Sequence, residues 1–140
     1  MRLPNMKIKS PHELLIDQIK DLHDVETQVR ATMPELSTRA RSPELREYLS
    51  SQAERAGIQI ERLGQAAEII GSDPDGDVSK AMRGLIEGGD RHVAMAEGER
   101  VTNLILTAHV GRIFHYQIAG YDFARKLAGA LCLTQVVYVF

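Results

Sequence analysis

The chain has 140 residues, of which 44% are hydrophobic and 26% are charged, and its formal net charge is −2. This size and balance fit one globular domain, residues 1–140, and exclude a disordered chain. Both charge signs are interspersed, without a basic stripe that also carries stacking aromatics, so we expect no nucleic-acid partner. Aromatic residues reach only 5% and Trp is absent, which favours packed helices over a β-sandwich.

The sequence also carries signals about its compartment. It contains no run of the roughly twenty apolar residues that a membrane span needs, and its first ten residues lack the apolar segment of a secretion signal. The single cysteine, Cys132, cannot form an intrachain disulfide, and no Cys-based zinc motif is present. We therefore expect a cytoplasmic protein that does not associate with membranes.

The first helix is predicted over about residues 11–40. Ser10 is a good N-cap, Pro11 suits the first helical position, and Glu13 completes a capping box. An apolar stripe follows at helical spacing, with one carboxylate in its middle. The stripe consists of Leu15, Ile19, Leu22, Glu26, Val29, Met33 and Leu36.

Two more helices are predicted, over about residues 43–70 and 78–97. Ser42-Pro43-Glu44 repeats the start signal, so the first connection is short and the first two helices should be antiparallel. Residues 71–77 are rich in Gly, Asp and Pro, which indicates a loop rather than an EF-hand. The glycines of the third helix either let a neighbouring helix approach closely or mark a bend. They are Gly84, Gly88 and Gly89.

A fourth helix is predicted over about residues 100–130. It is apolar around much of its circumference, which indicates a helix covered on several sides. Residues 131–140 form a tail that is apolar, uncharged and rich in β-branched residues. We expect this tail to pack on the bundle or on another subunit.

With these helices in place, the sequence resembles the bacterial YciE/YciF-like proteins of the ferritin-like superfamily. The order and spacing of four segments carry the resemblance, one segment for each predicted helix. They are SPHELLIDQIKDLHDVETQV, RSPELREYLSSQAERAGIQIERLGQ, KAMRGLIEG and IFHYQIAGYDFARKLA. The resemblance fades after about Ala128, where a further helix would be expected, so a divergent or truncated C-terminal segment is predicted.

The resemblance implies an all-α, antiparallel four-helix bundle that is commonly dimeric, often stress-associated and without an established reaction. Such bundles hold two metals with glutamates and Glu-x-x-His motifs. By resemblance, Glu26, Glu54 and Glu87 stand where the family supplies carboxylates. This chain departs from the pattern at Gly57, where the ligand side chain is missing. It departs again in the fourth helix, where Phe114 and Gln117 replace carboxylates.

The remaining residues leave two interpretations of the acidic positions. Three glutamates could hold one hard divalent ion, iron or manganese, with water completing the shell. Alternatively, Glu26–Arg30 and Glu87–Arg91, each four residues apart, are solvated surface ion pairs. Of the five histidines, only two stand near these positions, and a hydrogen-bonding role within the bundle is favoured over ligation. These two are His23 and His115.

The sequence thus favours a non-catalytic or vestigial ferritin-like bundle protein. No catalytic residue, nucleophile motif or nucleotide-binding loop is predicted. The protein is expected to act through self-association, as a homo-oligomer such as a dimer, or through a protein partner. The alternative is an enzyme, a metal-dependent oxidase or peroxidase that uses Glu26, Glu54 and Glu87.

Overall fold

The computed structural model describes residues 7–140, and within that range the chain forms five α-helices and no strand. The predicted all-α bundle is confirmed. Residues 1–6 lie outside the described residues. They are part of the predicted domain 1–140 and of the ten residues in which no secretion signal was predicted. Between residues 7 and 140, every helix is too short or too polar to cross a membrane. The helices are α1 (Pro11–Arg39), α2 (Pro43–Ile69), α3 (Lys80–Ala94), α4 (Glu99–Ala130) and α5 (Thr134–Val139).

Three serines determine where the first three helices begin. The Ser10 hydroxyl accepts a hydrogen bond from the backbone N–H of Glu13, and Ser42 does the same for Leu45. Ser79 caps α3 in this way, at the backbone N–H of Met82. Each bond satisfies one of the amide groups that the first turn of a helix leaves without a partner. Because Ser79 is the N-cap, α3 begins later than the predicted residue 78.

Helix α1 lies at the centre of the arrangement, packed against both α2 and α4. Ser37 of α1 pairs with Ser50 of α2 across the short hairpin, and Glu26 of α1 pairs with Gln117 of α4. Both α2 and α4 run antiparallel to α1. Helices α1 and α4 approach closely at Gly120, where a Cβ atom would stand 2.8 Å from a methyl carbon of Leu22. Helix α3 packs against α4 beyond a short turn.

The buried apolar side chains form two clusters, one toward each end of α1. The first joins the C-terminal half of α1 to α3 and the N-terminal halves of α2 and α4. The second joins the N-terminal half of α1 to the C-terminal halves of α2 and α4, and Val136 of α5 completes it. The tail therefore packs on its own bundle, which is one of the two predicted alternatives, and part of it is helical.

The connection between α2 and α3 runs back along α1. The Asp24 carboxylate anchors it by accepting a hydrogen bond from the backbone N–H of Ser79 at 2.6 Å. The Gln28 amide, which donates to Asp24 at 2.6 Å, also donates to the Ser79 carbonyl at 3.1 Å. A second contact joins His23 to Asp75, with 3.8 Å between Nδ1 and Oδ1. This path makes α3 shorter than the other three long helices, so it covers only part of the bundle.

Candidate functional site

A groove of about 820 Å³ lies between α2 and α4, and α1 supplies its floor. The groove exists because α2 and α4 both pack on α1 but do not pack extensively on each other. Glu26 and Val29 of α1 lie at the floor, with Ala56 of α2 and Gln117 of α4 beside them. The volume is within the range of about 300–1,000 Å³ that is typical of small-molecule sites.

Two aromatic pairs lie along the groove. Tyr48 of α2 and Phe114 of α4 meet edge to face, with ring centroids 6.3 Å apart. Tyr121 of α4 and Phe140, which follows α5, meet in the same way with centroids 6.1 Å apart. All four side chains line the cavity. Edge-to-face pairs of this kind add roughly 0.5–1.5 kcal/mol beyond area burial. The Tyr48–Phe114 pair therefore helps to fix the separation of α2 and α4, and the Tyr121–Phe140 pair holds the segment after α5 against α4.

The Glu26 side chain is buried, with 1% of its surface exposed. Its Oε1 accepts hydrogen bonds from Gln117 Nε2 at 3.0 Å and from the Tyr121 hydroxyl at 2.8 Å. Burial raises the pKa of Glu26, while the bonds from Tyr121 and Gln117 oppose that increase. Burial, together with the nearby Glu26 charge, also raises the pKa of Tyr121. The carboxyl group is therefore held by two neutral donors rather than by a cation.

The structure separates the three glutamates that the sequence predicted as metal ligands. Glu26 is buried at the floor of the groove, whereas Glu54 and Glu87 are exposed and do not line it. Across residues 7–140, no group of three His, Cys, Asp or Glu side chains has a geometry suited to a metal ion. The interpretation of Glu26 and Arg30 as a solvated surface pair is wrong, because the Glu26 side chain is not at the surface.

At the positions where this chain departs from the ferritin-like pattern, other contacts replace those of a metal ligand. A Cβ atom built on Gly57 would lie 3.9 Å from Cζ of Arg30, so the Arg30 guanidinium covers the place of the missing ligand. Gln117 donates to Glu26 instead of offering a carboxylate. A metal centre needs anionic oxygen or neutral imidazole donors around the ion. A guanidinium and two hydrogen-bond donors therefore do not fit a di-metal centre.

The histidines are placed differently from the prediction. His23 contacts Asp75 in the loop before α3, and the exposed His115 bonds the carbonyl of Gly111 through Nδ1 at 2.8 Å. Sequence reasoning missed His109, which is 1% exposed and packs on Gly89. Its Nε2 lies 3.3 Å from Asp90 Oδ1. Burial lowers the pKa of His109, and the bond to Asp90 opposes that decrease.

Sequence reasoning also missed the role of Tyr121. The signal that could have found it is the spacing of four residues between Gln117 and Tyr121, which puts both side chains on one face of α4. That face meets α1 at the level of Glu26. A polar pair at this spacing, opposite a carboxylate in an apolar stripe, indicates a hydrogen-bonded site between helices.

The fold and the site together define a helical-bundle protein with one buried, hydrogen-bonded carboxyl group beside an open groove. A family model described as a domain of unknown function, DUF892, matches residues 10–139. The chain belongs to this family. The match continues through α5 to residue 139, beyond Ala128, where the resemblance was expected to fade.

Two relatives support this assignment. Protein YciF of Escherichia coli is 26% identical over 130 residues, which are 90% of this chain and 76% of that protein. The crystal structure of the E. coli stress protein YciF superposes with a TM-score of 0.89 at 25% identity, covering 94% of this chain and 84% of that one. YcfI of Rhodopseudomonas palustris, described as a candidate structural protein, gives a TM-score of 0.93 at 26% identity, covering 98% and 87%. The predicted YciE/YciF-like resemblance is confirmed.

Proposed function

We propose that this protein is a non-catalytic, stress-associated bundle protein of the cytoplasm that acts by pairing with a second copy of itself. One observation carries the non-catalytic part. The buried carboxyl group of Glu26 is engaged by Gln117 and Tyr121, in the place where a ferritin-like metal centre would need further anionic ligands. The description of the E. coli relative as a stress protein supports the stress association.

An exposed stripe on α4 supports the self-association. Its residues alternate in steps of three and four, the spacing of a seam along which two helices pair. They are Val101, Leu104, Ala108, Gly111, His115 and Ile118. We call this set the α4 stripe. Leu104 is 60% exposed and Ile118 is 61% exposed, although the sequence predicted that α4 is covered on several sides.

The composition of the α4 stripe suits helix pairing. Ala108 and Gly111 at its centre would let a second helix approach closely, while the larger apolar side chains lie toward its ends. Fully burying a Leu or Ile side chain contributes about 1.5–3 kcal/mol. Because more than half of each side chain is still exposed, pairing would gain roughly 1–2 kcal/mol from each Leu104 and each Ile118.

Substitution of Leu104 tests the pairing. In a symmetric dimer, Leu104→Glu removes two apolar contacts and adds two charges, so the dimer dissociation constant should rise at least about thirty-fold. Sedimentation velocity across a dilution series measures the change. Val78→Glu is the matched control, because Val78 is 50% exposed but lies outside the α4 stripe. A wild-type chain that sediments as a monomer at micromolar concentration contradicts the proposal, as does equal dimerisation of the Leu104 and Val78 variants.

The non-catalytic part is tested by metal analysis of the purified protein. The alternative function, a metal-dependent oxidase or peroxidase, requires iron or manganese in stoichiometric amounts. We expect only substoichiometric metal, unchanged in Glu26→Ala, Glu54→Ala and Glu87→Ala variants. Stoichiometric metal that is lost in the Glu26→Ala variant would establish the enzyme alternative instead.

A further inference from the structure

Three arginines line the groove between α2 and α4. Arg55 and Arg62 extend from α2, and Arg125 extends from α4. Among the residues that the structure describes, no Asp or Glu side chain lies within ion-pair distance of these guanidinium groups. Arg62 donates to the amide oxygen of Gln59 at 3.2 Å, and Arg125 donates to the backbone oxygen of Phe140 at 3.2 Å. The Gln59 amide is uncharged, so the positive charges of Arg55 and Arg62 on α2 are not locally neutralised.

The acidic side chains of the groove lie on α1 and α4, away from the α2 wall. Asp122 lines the groove but pairs with Lys126, with 2.8 Å between Oδ2 and Nζ. Glu26 lies at the floor, where Gln117 and Tyr121 already bond its Oε1. The α2 wall carries Arg55 and Arg62, and none of its lining residues is acidic. Positive charge beside walls of low dielectric constant concentrates counter-ions of the opposite sign, so this wall attracts an anion.

The same groove presents apolar surface between its arginines. Ile58 of α2 is 51% exposed and Ile118 of α4 is 61% exposed, and Phe114 lies next to them in the lining. The distance along α4 from Phe114 to Arg125 is roughly 16 Å at 1.5 Å per residue. An elongated molecule could thus lie along the groove, with its chain on the apolar side chains and its charged end near the arginines.

We infer that the groove binds a small amphiphile with a single carboxylate head and a medium-length apolar chain. The guanidinium groups of Arg62 and Arg55 receive the carboxylate, because the planar guanidinium matches the two oxygens of a carboxylate in a bidentate pair. The chain lies over Ile58, Phe114 and Ile118, where its burial removes apolar surface of both partners from water. This site goes beyond the proposed pairing through the α4 stripe and does not depend on it, but the two surfaces share Ile118, so pairing and amphiphile binding compete for that side chain.

Calorimetric titration of the full chain with dodecanoate, below its micelle concentration, tests the inference. We expect one dodecanoate per chain and no binding of dodecyltrimethylammonium, which has the same chain with a cationic head. Arg55→Gln/Arg62→Gln should weaken dodecanoate binding at least about ten-fold. Arg83→Gln is the matched control, because Arg83 is exposed on α3 and does not line the groove. Far-UV circular dichroism verifies that the variants fold.

Three results would overturn the inference: no dodecanoate binding, equal binding of the cationic amphiphile, or equal affinities in the double and control variants. A fourth result would assign the groove to a second copy of the chain. In that case dodecanoate dissociates the dimer, and the Arg55→Gln/Arg62→Gln variant no longer dimerises. The Leu104→Glu variant separates the two proposals. Leu104 does not line the groove, so that variant should still bind dodecanoate whether or not the chain pairs.

Discussion

Two neighbouring glycines of α3 should respond in opposite directions to the same substitution. A Cβ atom at Gly89 would overlap the imidazole ring of His109, whereas a Cβ atom at Gly88 would meet nothing within 4 Å. Alanine is preferred over glycine inside a helix by up to about 1 kcal/mol. Gly88→Ala should therefore stabilise the protein by roughly 0.5–1 kcal/mol.

The same gain in helix propensity is outweighed at Gly89. Inserting atoms into a packed contact costs typically about 1–3 kcal/mol, and His109 has no room to move because its side chain is 1% exposed. After the propensity gain is subtracted, Gly89→Ala should destabilise the protein by up to about 2.5 kcal/mol. Because the propensity gain is the same in both variants, they should differ in the free energy of unfolding by the cost of the overlap, roughly 1–3 kcal/mol.

Urea unfolding followed by far-UV circular dichroism measures both changes, and a second background isolates their cause. In a His109→Ala chain the imidazole ring is gone, so Gly89→Ala should become neutral or stabilising, like Gly88→Ala. If Gly89→Ala is as stable as Gly88→Ala in the natural background, the close packing of His109 on α3 is refuted. If the Gly89→Ala cost persists without the ring, some other contact causes it.

Two further predictions concern the carboxylates of Glu26 and Asp24. Burial raises the folded-state pKa of Glu26 above its ordinary value of 4.5. Protonation of Glu26 therefore stabilises the folded chain in full below pH 4.5, and this stabilisation is lost as pH rises through the folded-state pKa. Glu26→Gln lacks this loss, so its stability relative to the natural chain should increase as pH rises above 4.5. A stability difference in thermal-melting experiments that stays constant with pH would rule out a raised Glu26 pKa. Asp24→Ala removes the acceptor of the 2.6 Å bond from Ser79 and should cost about 1–3 kcal/mol in urea unfolding. Asp75 is exposed, so Asp75→Ala should change stability by less than about 0.5 kcal/mol. Similar losses of stability in the Asp24→Ala and Asp75→Ala variants would show that Asp24 does not anchor the loop.

Much of the secondary structure could be predicted because the signals that start these helices are local. Ser10 and Ser42 each stand directly before a proline and cap the backbone N–H three residues later, so no distant residue is needed to identify the helix start. The long stripe of α1 is likewise visible at once, because positions three and four residues apart share a helix face. The end of α3 was predicted near residue 97 but lies at Ala94, because no Gly or Pro directly follows the last turn to mark it.

The acidic positions show where reasoning from spacing reaches its limit. Glu26, Glu54 and Glu87 are equivalent as residue types, yet only Glu26 is buried. The stripe of α1 indicated that Glu26 faces inward, but it could not supply the identities of Gln117 and Tyr121 as hydrogen-bond donors. Those donors lie more than ninety positions away along the chain, and only the placement of α4 against α1 brings them to the carboxyl group.

The sequence by itself determined that this protein is an all-α bundle, where its first two helices begin, and which face of α1 is buried, since each of these depends on residues within a few turns of one another. Which of these faces is covered, and by which neighbour, follows from the packing of the helices. This packing placed His109 against Gly89, took Glu54 and Glu87 away from Glu26, and left the α4 stripe and the arginine-lined groove uncovered. Helical periodicity identifies a face of a helix, but the neighbour that covers this face depends on how separate helices pack together.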